Sequence, residues 1–597
     1  MRDLDLCLRL LDPPLRWRWA ILVPIAALAA AVEAVGAGAV FGLLTIVMEP
    51  GRVASLPVFS TVHGWLGSPG AQATIVALTL LLIGFYLFRN ALLAFAAWVQ
   101  ERVVHDSIVH VSERLLLGYF TAPWSFHFRR NSAGLIQRVS QSTEVAYTLV
   151  ASAAMHTLAE ALTVGAIVVV LAATAPLATL VAAAATGLLI LVPTRLTAPV
   201  FARIGRDEQA GEETMLQALQ QSLGAMKEVK IAAREAFFHQ RFSAVLARLA
   251  RARRRRTTLQ EAVRLSVETV FVVALLLVVL LLTLRGQPGS AIVSLLGLYG
   301  YAGFRLVPSA NRIGRDLGQI RVGRPYLEDV HDDMRTIEAL RAAAREAGQP
   351  PDERVFSDAI RFETVSYAYD TGAAPVLHDV SLDIRRGESI GIVGQTGAGK
   401  STLVDLLLGL LEPTSGRILV DGVDLAGRSR WWQRQIGYVP QTFALFDDTI
   451  RRNIAFGIPD AEVDEARLLR AVRSAQLDEV VAGLPAGLDT PVGERGIRLS
   501  GGQRQRVVIA RALYRDPRVL VFDEATSALD SQTEREVTLA IDALHGSVTT
   551  IVIAHRLSTV RGCDRLIFLR EGRVEAIGSY DELRGTSAAF RAMTDEG

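Results

Sequence analysis

Long apolar runs fill the first half of the chain, whereas short apolar stretches separated by turns fill the second half. A helix needs about 20 consecutive apolar residues to cross a bilayer. Six such spans are predicted, at residues 19–47, 73–98, 149–173, 177–194, 267–284 and 291–307. The pattern therefore predicts a membrane domain with six transmembrane helices over residues 1–335.

The arginines are divided unevenly between the connections of these spans. The connections predicted to be outside hold only Arg52 and Arg285, whereas those predicted to be inside hold many arginines, including the run at residues 251–256. Because cytoplasmic connections carry the excess of positive charge, both termini are predicted to be cytoplasmic. Two inner connections, residues 99–148 and 195–266, are long and amphipathic, and they predict helices that extend into the cytoplasm and turn there.

The second half has the pattern of a soluble α/β domain. Residues 336–353 form a charged, alanine-rich linker that is closed by Pro350 and Pro351. From residue 354 to residue 597, short apolar strands alternate with helices, and this alternation indicates a sheet covered by helices.

One stretch of the second half carries a specific chemistry. Residues 394–401 fit the pattern G-x-x-x-x-G-K-[ST] between a buried strand and a helix, which is typical of a loop whose backbone N–H groups surround a polyphosphate. The chain has three lysines, and Lys400, the only one in the second half, is placed to reach the β and γ phosphates. The predicted ATP-binding residues are Gly394, Gln395, Thr396, Gly397, Ala398, Gly399, Lys400, Ser401 and Thr402, and Ser401 is also a predicted Mg²⁺ ligand.

Further candidates follow other predicted strands. A buried strand ends in two carboxylates, of which Asp523 is expected to hold the Mg²⁺ shell and Glu524 to orient or deprotonate the attacking water. Tyr369 is a candidate for stacking on adenine, and Gln441 and His555 lie next to predicted strand ends. Taken alone, each of these three residues is more often a packing or surface group.

A second helix start resembles an anion-binding site. Ser500, Gly501, Gly502 and Gln503 open a helix, so their N–H groups can face an anion. A chain with one phosphate loop does not need two such sites for itself. The economical hypothesis is a homodimer in which these residues close on the partner's nucleotide, giving two shared ATP sites.

These motifs, with Ser527 to Asp530 and Ala554-His555 in the same order, resemble the nucleotide-binding domain of an ATP-binding cassette (ABC) transporter. The six-span half is similar to the exporter type of this superfamily. The expected fold class is thus a membrane α-helical domain fused to a cytosolic α/β P-loop nucleotide-binding domain. The resemblance implies that Gln441 also contacts Mg²⁺, that Glu524 is the catalytic glutamate and that His555 meets the γ-phosphate. It further implies that the turns at residues 124–128 and 235–241 are coupling helices.

Within the superfamily, residues 33–38, 124–134 and 224–231 resemble bacterial flippases for lipid-linked oligosaccharides, which also place a short external helix where residues 56–66 lie. The resemblance implies an ATP-driven exporter or flippase of a lipid-linked oligosaccharide or similar amphipathic glycolipid in the bacterial inner membrane. Arg89 and Arg305, at membrane depth, are the candidate headgroup contacts.

Other interpretations remain open at this point. The intramembrane charges can instead pair with each other, for example Arg89 with Glu160. The alternative function is an exporter of hydrophobic drugs, lipids or small peptides, and a third is a non-transport ATPase of the same superfamily. A net charge of +2 does not favour a nucleic-acid partner, and two distant cysteines give neither zinc spacing nor a disulfide framework.

Overall fold

A computed structural model describes residues 2–48, 71–128, 130–174, 176–285, 289–346, 354–369, 374–523, 546–554 and 557–595. The chain divides into two compact units, each of which is described by itself. The first unit comprises Met1–Ala122 and His127–Ala339, and the second comprises Pro123–Phe126 and Leu340–Gly597. The predicted external helix at residues 56–66 lies outside the described residues.

The first unit is helical throughout its described part. The helices described up to residue 346 are α1 (Arg2–Arg9), α2 (Pro13–Met48), α3 (Ala71–Thr121), α4 (Trp124–Phe128), α5 (Ser132–Gln137), α6 (Thr143–Val145), α7 (Ala153–Thr174), α8 (Pro176–Gly224), α9 (Met226–Ile231), α10 (Glu235–Leu284) and α11 (Gly289–Glu346). The first three residues of α4 and the last turns of α11 are assigned to the second unit. Two π-helical stretches, π1 (Arg138–Ser142) and π2 (Ala146–Ser152), join α5, α6 and α7 into one long rod.

Each of the six predicted spans lies in a different long helix of this unit. The spans fall in α2, α3, the rod that ends in α7, α8, α10 and α11. Within the described residues, Pro13–Gly36, Gln72–Thr121 and Ser132–Val169 are long and apolar enough to cross a membrane. Helices α3, α8, α10 and α11 also continue far beyond the spans, because their sequences keep a helical pattern after the apolar run ends.

The first helix is held against π2 by buried groups. Cys7 is completely buried, and its backbone carbonyl accepts a hydrogen bond of 2.9 Å from the hydroxyl of Tyr147. Leu10 and Leu11, which follow the helix, are buried as well. The apolar side of this short amphipathic helix therefore packs on the long rod.

The two turns between long helices differ in how well they were predicted. Helix α4 occupies the first turn, where residues 124–128 were expected to form a short helix. In the second turn, the isolated short helix is α9, and residues 235–241 instead begin the long helix α10. The chain reverses before Glu235 because Ala233 takes a left-handed conformation, with φ of 51°.

The described residues of the second unit contain ten strands in two sheets. The strands are β1 (Ala359–Tyr367), β2 (Leu377–Arg385), β3 (Ser389–Gly394), β4 (Ser415–Val420), β5 (Val423–Asp424), β6 (Ile436–Val439), β7 (Val519–Asp523), β8 (Thr549–Ile553), β9 (Arg565–Arg570) and β10 (Arg573–Gly578). The antiparallel sheet has the order β2-β1-β4-β5. The larger sheet has the order β10-β9-β3-β8-β7-β6 and is parallel except for its edge strand β10.

Helices cover both faces of the larger sheet, as its almost continuously buried strands β3, β7 and β8 require. The helices that the structure describes in this unit are α12 (Lys400–Leu407), α13 (Ser429–Gln433), α14 (Ile450–Ile454), α15 (Glu465–Ser474), α16 (Asp478–Ala482), α17 (Gly501–Tyr514), α18 (Leu557–Val560), α19 (Tyr580–Thr586) and α20 (Ala588–Asp595). One hydrophobic cluster packs α12 against the sheet, and the other packs α15 and α17.

Candidate functional site

The carboxyl edge of the parallel sheet gathers most of the predicted nucleotide residues. Strand β8 lies between β3 and β7, and Ile553 at its end is paired with Ile392 on one side and Asp523 on the other. The phosphate loop leaves β3, Asp523 ends β7, and Gln441 follows β6 on the far side of β7. This edge is where ligands bind in open α/β sheets.

The glycines of the phosphate loop are required for different reasons. A side chain at Gly394 would place its Cβ 2.3 Å from the carbonyl oxygen of Leu569, so the loop lies directly on the neighbouring backbone. Gly397 has φ of 84°, and a Cβ there would meet no atom within 4 Å. Gly399 has φ of 98° and opens α12. The loop is therefore pressed against the sheet at one point and open at another, as a phosphate cradle needs to be.

Lys400 and Thr402 lie in the first turn of α12, next to the phosphate loop. Lys400 is 6 % exposed, and its ammonium group donates hydrogen bonds to the carbonyl oxygens of Gly394 (2.7 Å) and Gln395 (3.1 Å). The lysine thus lies across its own loop. The hydroxyl groups of Tyr369 and Thr402 are 3.0 Å apart and share a hydrogen bond, which places the predicted adenine-stacking ring beside the loop.

Two residues next to Asp523 were missed by the sequence reasoning. The hydroxyl of Tyr438 donates a 3.0 Å hydrogen bond to Asp523 Oδ2, and burial together with the Asp523 charge raises the pKa of Tyr438. Asp405, on α12, is also close, and burial followed by repulsion from Asp523 raises the pKa of Asp405 to about 6. Tyr438 lies in the strand that precedes Gln441, and the alternation of side chains along that strand was the available signal.

The second predicted anion site is a well-formed helix start. Ser500 Oγ accepts a hydrogen bond from the backbone N–H of Gln503, and the side chain of Gln503 accepts one from the N–H of Ser500. This reciprocal pair is a capping box, which fixes the first turn of α17. A Cβ at Gly501 would meet no atom within 4 Å, so this side of the turn is open. Helix α17 packs in a different hydrophobic cluster from α12.

The intramembrane charges are paired differently from the example given by the sequence. Arg89 donates to Glu33 at 2.9 Å, with the two side chains 13 % and 15 % exposed, and its guanidinium also lies over the ring of Tyr86. Glu160 is paired with Arg312 instead. The suggested pair of Arg89 with Glu160 is therefore wrong, because sequence spacing does not show which faces of separate helices meet.

Several predicted residues fall outside what the structure describes. Glu524, His555 and residues 527–530 are outside the described residues, and so is the side chain of Arg305. Their proposed roles continue to rest on the sequence.

The chain matches known proteins along almost its whole length. The family profile described as ABC transporter transmembrane region matches residues 26–299, and the profile described as ABC transporter matches residues 377–527. A relative from Cupriavidus metallidurans, named ATP-dependent lipid A-core flippase, is 33% identical over 522 residues, which cover 86% of each chain. The putative multidrug export ATP-binding/permease protein YgaD of Bacillus subtilis is 43% identical over 235 residues, which cover 39% of this chain and 40% of the relative.

A solved structure gives the same result for the fold. It is described as a bacterial Atm1-family ABC exporter with ATP bound, and it matches with a TM-score of 0.79 and 25% identity. The match covers 98% of this chain and 99% of the other, so it includes both units. The resemblance inferred from the motifs and the fold class inferred from the pattern are both confirmed. The chain therefore belongs to the ABC transporter family, as a membrane exporter whose cassette binds and hydrolyses ATP to drive transport.

Proposed function

We propose that this exporter is a flippase that moves a lipid-linked oligosaccharide or a similar amphipathic glycolipid across the bacterial inner membrane, with both termini and the cassette in the cytoplasm. The observation that carries the proposal is the similarity, over most of both chains, to relatives named ATP-dependent lipid A-core flippase. Residues 1–335 would form the transmembrane domain, residues 336–353 the linker and residues 354–597 the cassette.

The sheet edge is proposed to hold ATP through the phosphate loop. Lys400 would exchange its bonds to the loop carbonyls for the β and γ phosphates, because charge-assisted bonds to phosphate are stronger. Mg²⁺, which neutralises the phosphate oxygens when it is bound, fits the hydroxyl, amide and carboxylate oxygens of Ser401, Gln441 and Asp523. The hydrogen bond from Tyr438 fixes one oxygen of Asp523 and orients the carboxylate.

Hydrolysis and its coupling are proposed to need a second copy of the chain. Glu524 would position the attacking water, and His555 would contact the γ-phosphate. Ser500 and Gly502 of the partner would close on the same nucleotide, because the first turn of α17 is preorganised and one side of it is open. Two identical cassettes would then share two ATP sites.

Arg89 can bind an anionic headgroup only if the headgroup replaces Glu33 as the ion-pair partner of its guanidinium group. Arg89 is mostly buried and held by Glu33, so a phosphate would have to replace this carboxylate. Such an exchange is favourable when the phosphate accepts two hydrogen bonds from the guanidinium. Arg305 is proposed as the second headgroup contact from the sequence.

The Arg89–Glu33 pair also favours the alternative function. An arginine that is permanently neutralised by Glu33 contributes no free positive charge to the transport path. An exporter of hydrophobic drugs, lipids or small peptides needs no such charge. The similarity to the putative multidrug protein of Bacillus subtilis agrees with this alternative, although it covers only 39% of the chain.

ATPase activity in proteoliposomes separates the two functions. We expect a polyprenyl-diphosphate oligosaccharide to stimulate the activity at micromolar concentration, and a hydrophobic amine of drug size to leave it unchanged. In Arg89→Ala the stimulation should be lost, while the basal activity without lipid should remain, because Arg89 belongs to the first unit and the nucleotide residues belong to the second. Stimulation by the amine alone would contradict the glycolipid proposal and favour the alternative.

A further inference from the structure

A polar cavity lies inside the first unit, at the edge of the predicted membrane spans. It has a volume of about 400 Å³ and lies between α8, α10, α11 and the rod that contains π1 and π2. Its wall includes Gln141 and Thr148 from the two π-helical stretches and Gln319 from α11. π-helical segments are uncommon and are frequently found at functional sites.

Two glutamates of α8, one turn apart, form one wall of the cavity. Glu208 is 3 % exposed and Glu212 is 4 % exposed, and each is paired with an arginine of α10. Arg253 donates to Glu212 Oε1 at 2.8 Å, and Arg256 donates to Glu208 Oε2 at 2.9 Å. The two glutamates are thus nearly equivalent in position, burial and charge partner.

They differ in their remaining oxygen atoms. The second oxygen of Glu212 accepts a 2.7 Å hydrogen bond from the hydroxyl of Tyr326, so both of its oxygens are satisfied. The second oxygen of Glu208, Oε1, is buried and has no hydrogen-bond partner among the described residues. Burial raises the pKa of Glu208 even though Arg256 opposes the shift. A buried acceptor without a donor is costly, and the glutamate that carries this one is part of the cavity wall.

The charges of the wall indicate what kind of donor is missing. The lining residues include three carboxylates, from Glu144, Glu208 and Glu212, and two guanidinium groups, from Arg253 and Arg256. One negative charge is therefore left over when all five groups are ionised. The side chain of Arg253 is 51 % exposed, so solvent reaches this end of the wall.

We propose that this cavity binds a small organic monocation with a primary ammonium group, whose N–H donates to Glu208 Oε1 and whose apolar part lies against Val145, Leu149 and Val322. The volume accommodates a small molecule of this kind. Bound there, the ligand connects α8, α10, α11 and the π-helical rod, and it stabilises their packing by mass action.

Thermal unfolding of the full-length protein in detergent, without nucleotide, tests the site. Benzylammonium chloride should raise the unfolding temperature in a saturable manner, whereas benzyl alcohol, which has a similar shape and no charge, should give no saturable shift. Glu208→Gln should weaken the binding of benzylammonium by about tenfold or more, because a charge-assisted hydrogen bond is lost. The absence of a saturable shift in the wild-type protein would overturn the proposal.

Glu212→Gln is the matched control. It removes the same single charge from the same helix and the same cavity wall, but it leaves Oε1 of Glu208 in place. Benzylammonium affinity should stay within about threefold of the wild-type value in this variant. The ligand-free protein should become less stable, because the amide keeps only one acceptor oxygen for Arg253 and Tyr326 and replaces the other with a donor. Equal losses of affinity in both variants would show a general attraction to negative charge and would contradict a site at Glu208.

Discussion

At the scale of single residues, the phosphate loop depends on glycines that serve distinct purposes. Gly397 and Gly422 have similar backbone conformations, with φ of 84° and 76°, and a Cβ at either position would meet no atom within 4 Å. Gly397 lies in the phosphate loop, whereas Gly422 lies in the turn between β4 and β5. Substitutions at these two glycines therefore cause the same backbone strain, but only the substitution at Gly397 can also interfere with ATP binding.

We predict that Gly397→Ala and Gly422→Ala both lower stability by about 1 kcal/mol, because each forces a side chain into a left-handed conformation. Only Gly397→Ala should raise the KM for ATP, by about tenfold or more, since its methyl group occupies the space proposed for phosphate. Steady-state ATPase assays and thermal unfolding of both variants provide the measurement. An unchanged KM in Gly397→Ala would argue against phosphate binding at this point.

Asp405 gives a pH-dependent prediction. Its pKa in the folded protein is about 6, above the ordinary value of 3.8, so ionisation is less favourable in the folded state than in the unfolded state. The wild-type protein thus loses stability relative to Asp405→Asn as the pH rises from about 4 to about 6, and the difference levels off above that. Because the group is partly solvated, we expect a plateau of about 1–2 kcal/mol.

The test is thermal unfolding of both proteins without nucleotide or divalent cations, at pH values from 4.5 to 7.5. The advantage of Asp405→Asn should grow with pH. A difference in stability between the two proteins that is independent of pH would show that burial and the Asp523 charge do not raise the pKa of Asp405.

At the scale of the helices, a glycine allows two helices of the first unit to pack backbone against backbone. A Cβ at Gly205 of α8 would lie 2.4 Å from the carbonyl oxygen of Val322 in α11, so the two backbones touch. At Gly211, six residues along the same helix, a Cβ would lie 3.5 Å from the side chain of Leu249, which is an ordinary contact.

We therefore predict opposite effects for two identical substitutions in one helix. Gly205→Ala should destabilise the protein by about 1–3 kcal/mol, because the backbone of α11 has to move. Gly211→Ala should be neutral or stabilising by up to about 1 kcal/mol, because alanine is the better helix former. The unfolding temperatures of the two variants give the comparison, and equal destabilisation would show that α8 and α11 do not cross so closely.

The docking of α1 on the rod can be tested by chemical labelling. Cys7 is completely buried, and burial raises the pKa of its thiol, whereas Cys563 is partly exposed. Maleimide should therefore modify Cys563 of the native protein much faster than Cys7. Mass spectrometry of both sites over time, with Cys563→Ser as the control, gives the two rates. Rapid labelling of Cys7 would show that α1 is not held against π2.

At the scale of the whole molecule, the periodicity of apolar residues and the sequence motifs were sufficient to predict the architecture. Runs of about 20 apolar residues located the six long helices that the structure describes in the first unit, since length and hydropathy are properties of the local sequence. The motif at residues 394–401 and the strand before Asp523 located one edge of the parallel sheet. Ligands bind at the carboxyl ends of the strands in open α/β sheets, so strands that end in phosphate-binding or metal-binding residues are expected to share that edge.

Contacts between distant parts of the chain were less predictable. The partner of Arg89 depends on how α2 and α3 rotate against each other, and the sequence therefore suggested Glu160 where the structure has Glu33. Tyr438 lies beside the metal-ligand candidate Asp523 because β6 pairs with β7. Asp405 lies close to Asp523 because α12 packs on the same sheet. The two π-helical stretches, and with them the cavity at Glu208, follow from packing of the rod and have no local sequence signal.

A substitution at the proposed catalytic glutamate tests the shared ATP sites. Glu524→Gln should bind ATP and reduce turnover by about a hundredfold or more, because the amide neither accepts a proton from water nor orients it as well. The variant should then accumulate as an ATP-bound dimer. Light scattering after size-exclusion chromatography would give the mass of the dimer, and nucleotide analysis of the same peak would show the retained ATP. Turnover close to that of the wild-type protein would refute the role of Glu524.

The most direct test of the whole account is transport itself. Proteoliposomes with a fluorescent lipid-linked oligosaccharide in both leaflets would be treated with a membrane-impermeant quencher, with and without external ATP. We predict that ATP lowers the quenched fraction for the wild-type protein, as lipid leaves the leaflet that faces the exposed cassettes, and that Glu524→Gln shows no such change. An unchanged distribution of the glycolipid, together with ATP-dependent accumulation of a hydrophobic amine inside the vesicles, would contradict the flippase proposal.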